Sequence, residues 1–158
     1  MKVKDIMTKE VLTVKRSTTL RDLIKFFLKT KFHTLPVVED DGRLVGIIAL
    51  ADILKVFQRH STTLTQMLKA IPFLTEEEEE DLFLADISPA TRMLFLVDDL
   101  MNVNLVTVNE DVSIKEVRSM MKLHRIEKFP VVKDGYLIGI ISLFDIILAV
   151  FKEKGIIE

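Results

Sequence analysis

Gly46-Ile47-Ile48-Ala49-Leu50-Ala51-Asp52-Ile53 returns later in the same chain as Gly139-Ile140-Ile141-Ser142-Leu143-Phe144-Asp145-Ile146, and only the Ala49/Ser142 and Ala51/Phe144 pairs differ. An apolar run that closes on an Asp twice in one frame marks an internal duplication. Upstream, Leu35-Pro36-Val37-Val38 faces Phe129-Pro130-Val131-Val132, with Pro36 and Pro130 94 positions apart. The same spacing pairs Leu12-Thr13-Val14 with Val106-Thr107-Val108, and Asp5-Ile6-Met7 with Asp99-Leu100-Met101. Downstream of the prolines the offset falls by one, because Asp40-Asp41-Gly42 is shortened to Asp134-Gly135.

Each copy reads as one string of elements. A short apolar strand is expected at Val11 to Val14 and at Leu105 to Val108. A helix follows, since Leu20, Leu23, Ile24, Phe27 and Leu28 fall at i, i+3, i+4, i+7 and i+8. The second copy keeps Ile114, Val117 and Met121 on that stripe but has Arg118 at the place of Ile24. Two Val- and Ile-rich runs joined by Asp-Gly turns then predict a hairpin, and a closing helix is expected to begin near Leu50 and Leu143. The chain thus divides into repeat 1 at residues 1–55, an insert at 56–96 and repeat 2 at 97–158. The insert has helical patterning: Leu64, Met67, Leu68 and Ile71 form a stripe ending at Pro72. Thr75 and Glu78 have capping-box spacing, and Ser88-Pro89 suits a helix start, so two or three short helices are expected there.

Composition narrows the functions. With 158 residues, 49% of them hydrophobic, the chain can bury a core. A net charge of −2 gives no basic field to collect nucleic acid or anionic membrane, which leaves a nucleic-acid-binding accessory role as a weak alternative. The absence of cysteine excludes disulfides, thiolate catalysis and thiolate zinc sites. The start, Met1-Lys2-Val3-Lys4-Asp5, has no following signal-peptide core, and no apolar stretch reaches membrane-spanning length, so a cytoplasmic, non-membrane protein is expected. Without a Gly-rich phosphate loop, a Gly-x-Ser-x-Gly elbow or a nucleophile–base pairing, the expectation is no enzyme.

The duplicated unit, with its hydrophobic-Pro-Val-Val strand and Gly-Ile-Ile-x-x-x-Asp junction, resembles the tandem CBS-domain pair (cystathionine-β-synthase-type, or Bateman module). The likeness covers about residues 3 to 55 and 97 to 151 and leaves the insert aside. It implies an α/β (α+β) fold of two pseudo-symmetric β-α-β-β-α repeats packed sheet to sheet. It also implies two clefts for adenosine-containing ligands, a regulatory role, and a homodimer formed through helices. With no effector domain apparent, any output is expected to act on an effector protein in trans.

The resemblance places the ligand motif Gly-h-h-Thr/Ser-x-x-Asp at Gly139 to Asp145. A carboxylate such as Asp145 can accept from ribose hydroxyls, and a hydroxyl at a helix start, such as Ser142, suits a phosphate. Lys128, two residues before Pro130, stands where the family often carries a phosphate-contacting basic residue. The same Ser142-x-x-Asp145 spacing is that of a helix capping box, which explains both residues without a ligand. In repeat 1, Ala49 lacks the hydroxyl and Thr34 replaces the basic residue, while Asp52 remains. Two unequal clefts are therefore expected. The main one would use Ser142, Asp145 and Lys128, with adenine against Thr18, Phe32 and His33; the weaker one would use Asp52. AMP, ADP or ATP is the expected regulatory ligand, with no cofactor; S-adenosylmethionine, cyclic di-AMP and a ligand-free dimerisation module are the alternatives.

His33, His60 and His124 lack metal-type spacing, so no metal site is expected. His33 fits a ligand contact or an exposed strand edge equally well. Glu76 to Glu80 with Asp81 reads as complementing a helix dipole before it reads as attracting a cation or a basic partner. Phe26, Phe27, Phe32, Met120 and Met121 are expected in the core or at a dimer face.

Overall fold

The computed structural model describes residues 1–30, 32–57 and 94–157. Over these residues the elements run α1 (Val3–Ile6), α2 (Leu20–Thr30), β1 (Thr34–Val38), β2 (Leu44–Ala49), α3 (Leu50–Phe57), α4 (Val97–Leu100), β3 (Val108–Asn109), α5 (Ile114–His124), β4 (Lys128–Lys133), β5 (Tyr136–Ser142) and α6 (Leu143–Glu153). The expected insert helices, His60 and the Glu76–Asp81 run lie outside the described residues.

Two compact units are present. One comprises Met1–Lys15, Pro36–Ile47 and Asn102–Glu158; the other comprises Arg16–Leu35 and Ile48–Met101. In the first, β3, β4 and β5 form a sheet in that order, with β3 parallel and β5 antiparallel to β4. Its core is Val3, Val108, Ile114, Val117, Met121, Phe129, Val131, Ile141 and Ile146. The helix stripe read from the sequence is what faces this core: Ile114, Val117 and Met121 are buried, and Arg118 is exposed. In repeat 1 the matching face of α2 buries Leu20, Leu23 and Phe27, whereas Leu28, expected on the same stripe, is 75% exposed. Apart from Val38, every buried apolar residue of one repeat has its counterpart buried in the other among the described residues, from Val3 and Val97 to Ile53 and Ile146. The duplication is thus carried in the packing as well as the letters.

The two turns account for the lost residue. In repeat 2, Asp134 and Gly135 both have positive φ (52° and 86°), the pairing that a two-residue type I′ turn requires. In repeat 1 the Gly42 amide donates to the Glu39 carbonyl at 3.0 Å and Gly42 alone turns left-handed (φ 91°), a type I turn closed by a glycine bulge. That geometry takes one more residue.

The first strand of each repeat is shorter than expected. Val14 makes a single parallel bridge to Val37, and β3 holds two residues. The Val14 amide donates to the Pro36 carbonyl and the Val38 amide to the Val14 carbonyl, both at 3.0 Å. The next rung toward the N-terminus would need an N–H from Pro36, or from Pro130 in repeat 2, and proline has none.

An unexpected short helix opens each repeat, and each docks on the other repeat's sequence. The α1 amides of Val3 and Lys4 donate to the carbonyls of Val112 and Glu110, both at 3.0 Å. Reciprocally, those of Val97 and Asp98 in α4 donate to Thr18 at 2.8 Å and Arg16 at 3.1 Å. Asp5 and Asp99 close these helices by accepting from the Lys2 and Leu96 amides at 2.7 and 2.8 Å, which explains why an Asp recurs there. Beyond the helices, Thr8 bridges Ile140 and Asn102 bridges Ile47, again across repeats.

Candidate functional site

The junction between β5 and α6 is built by capping. Ser142 has extended backbone (φ −115°, ψ 162°), so the chain leaves the strand and starts the helix at this residue. Its hydroxyl accepts from the Asp145 amide at 3.2 Å, and Asp145 Oδ2 accepts from the Ser142 amide at 2.7 Å and from the Ser142 hydroxyl at 2.6 Å. The capping box read from the sequence is therefore formed, and both side chains are half-buried. All three bonds use the hydroxyl or Oδ2, and none involves Asp145 Oδ1. The Leu143 amide, the next donor at this helix end, donates to the Glu127 carbonyl at 2.8 Å.

Lys128 is the cross-strand partner of Ser142 in the β4–β5 register. Directly opposed residues of an antiparallel pair project from the same face with Cβ atoms about 5 Å apart. The structure thus brings Lys128, Ser142 and Asp145 to one end of one sheet. Lys128 is exposed.

The corresponding junction of repeat 1 keeps half of this arrangement. Asp52 Oδ2 accepts from the Ala49 amide at 2.8 Å, and the Leu50 amide donates to the His33 carbonyl at 2.8 Å. Ala49 supplies no hydroxyl, so the bond from a side chain to the Asp52 amide is missing from the box. Thr18, Phe32, His33 and Asp52 all belong to the second unit, whereas Lys128, Ser142 and Asp145 belong to the first. Thr18 is half-buried with its carbonyl taken by the Val97 amide; Phe32 and His33 are exposed. Of the aromatic and Met residues expected in the core or at a dimer face, Phe27 and Met121 are in the core and Phe32 is 44% exposed. Among the described residues no cluster of His, Cys, Asp and Glu has the makings of a metal site. Nor is any helix among them long and apolar enough to cross a membrane.

Sequence reading missed the segment that crosses the β5 strand just before this junction. Thr8 and Ile140 exchange two amide-to-carbonyl bonds at 2.9 Å, two residues from Ser142. A Cβ at Gly139 would stand 2.8 Å from Met7 Sδ and 2.9 Å from the Thr8 carbonyl oxygen, so this glycine makes room for the crossing chain. The signal was present in the repeated Gly-Ile-Ile, where a glycine inside a strand marks close backbone approach.

The CBS domain family profile matches residues 3–59 and 97–152. An uncharacterized protein of Methanocaldococcus jannaschii, MJ1426, is 34% identical over 156 residues, covering 94% of this chain and 90% of that one. A solved structure of CBSX2 in complex with AMP superposes with a TM-score of 0.71 at 23% identity, covering 97% of this chain and 98% of that one. The CBS domain pair of protein MJ0100, solved with 5-methylthioadenosine and S-adenosyl-L-methionine, gives a TM-score of 0.65 at 24% identity, with 98% of each chain covered.

Proposed function

The chain belongs to the CBS-domain family, carrying two CBS domains, and from this we propose a non-catalytic regulatory module that binds an adenosine-containing ligand, with AMP, ADP or ATP as its adenine nucleotide. The observation that carries this reading is the β5–α6 junction. Asp145 is held by three bonds that leave Oδ1 as the acceptor for ribose hydroxyls. Lys128 stands across the strand pair, where a phosphate could be neutralised. Capping and ligand binding are compatible here, because the cap fixes the carboxylate that the ribose would use. The structural relatives solved with AMP, 5-methylthioadenosine and S-adenosyl-L-methionine support the adenosyl class without choosing within it.

In this reading Asp52 serves a weaker site that lacks a hydroxyl at Ala49. The second copy of the chain covers α6, whose Phe144, Ile147 and Phe151 are 65%, 41% and 41% exposed at i, i+3 and i+7. Ligand binding changes the balance between conformations, and an effector protein in trans reads the change. The test is a thermal-shift panel of AMP, ADP, ATP, S-adenosylmethionine and cyclic di-AMP on the full chain. A concentration-dependent rise with at least one of them is expected. No shift with any would leave the ligand-free dimerisation module as the better account.

A further inference from the structure

The reciprocal docking of α1 and α4 raises a question of choice, since each helix could in principle seat on its own repeat. The backbone cannot decide it. Val3 and Lys4 donate to Val112 and Glu110 just as Val97 and Asp98 donate to Thr18 and Arg16. The apolar contacts cannot decide it either, because Val3, Ile6 and Met7 match Val97, Leu100 and Met101.

Charge does differ. Lys2 and Lys4 in and beside α1 reach Asp111 Oδ1 at 3.0 and 2.8 Å, in the turn before α5. In the other pairing the signs are exchanged. Asp98, at the position of Lys4, meets Arg16, at the position of Glu110, at 2.9 Å. Seated on its own repeat, α1 would bring Lys2 and Lys4 beside Arg16, and α4 would bring Asp98 beside Glu110 and Asp111. Both wrong pairings place like charges together.

We propose that this opposite polarity is a docking code, which assigns each leading helix to the other repeat and so fixes how the two CBS domains exchange their first segments. Pairs this exposed contribute little to total stability. What they discriminate is one docking arrangement from a near-isoenergetic alternative, where like-charge contacts weigh against the wrong one.

The test is amide hydrogen exchange of residues 3 and 4 in the full chain at low salt. In Lys2→Glu/Lys4→Glu these amides should exchange about tenfold faster, while Val97 and Asp98 stay unchanged. Adding Asp111→Lys should recover at least about threefold of that protection. Because exposed charges are screened at about 1 M salt, the difference between wild type and the double variant should shrink there. Unchanged exchange in the double variant, no recovery with Asp111→Lys, or a loss of protection indifferent to salt would each overturn the proposal.

Discussion

Gly139→Ala is the substitution whose cost the structure states most directly. The added methyl would stand 2.8 Å from Met7 Sδ, 3.2 Å from Met7 Cγ and 2.9 Å from the Thr8 carbonyl oxygen. Met7 is flexible and could turn aside. The Thr8 carbonyl could not, because it accepts from the Ile140 amide at 2.9 Å while the Thr8 amide donates back to Ile140 at the same distance. Relief therefore requires the crossing segment to lift from β5. Overpacking of this kind costs about 1–3 kcal/mol. For a chain of this size each kcal/mol moves the melting temperature by about 2–4 °C, so a fall of about 2–12 °C is expected. Calorimetric melting measures it, and exchange of the Thr8 and Ile140 amides should rise with it. Adding Met7→Ala should recover only the side-chain share. A Gly139→Ala protein that melts within about 1 °C of wild type, with both amides still protected, would refute the reasoning.

Other expectations follow from single contacts. Ser142→Ala removes the N-cap of α6 and should lower stability by about 0.5–2 kcal/mol in denaturant titration, whereas Ala49→Ser should recover part of such an increment for α3. Arg125 ends α5 in the left-handed region (φ 55°), so Arg125→Gly should raise the melting temperature, by about 1 kcal/mol of relieved strain; a lower one would contradict this. Asp111 is held down to about 2 by hydrogen bonds from Lys4 and Lys2. Its folded value lies below the ordinary 3.8, so its contribution is present above pH 3.8 and is lost as pH falls through about 2. Carbon-detected NMR titration should find that midpoint in wild type and find it moved toward 3.8 in Lys2→Ala/Lys4→Ala.

The sequence made the hairpin turns, the helix stripes and the starts of both closing helices legible, because each depends on residues close together in the chain. Asp41-Gly42 and Asp134-Gly135 carry their own backbone requirement, and Ser142-x-x-Asp145 its own cap. The first strands were overestimated because apolar content at Val11–Val14 says nothing about the N–H that Pro36 withholds. The leading helices went unread for a different reason. Four residues are too few for a period, Lys2 and Leu96 are poor capping residues, and the helices' partners lie far off in the chain, Val112 for Val3 and Thr18 for Val97. For the candidate site, Ser142, Asp145 and Lys128 share one sheet end because strand register brings them there. The expectation that Thr18, Phe32 and His33 meet an adenine rests on family resemblance, since no local pattern encodes it.

In the proposed function Asp145 acts on a ligand as well as on its helix. Calorimetric titration of AMP into wild type, Asp145→Asn and Asp52→Asn tests this directly, because Asn preserves the shape of the carboxylate. Loss of a charge-assisted hydrogen bond is worth about 1.5–3 kcal/mol, so Asp145→Asn should bind about 10- to 150-fold more weakly, with Asp52→Asn closer to wild type. Equal affinity of AMP for wild type and Asp145→Asn would contradict it.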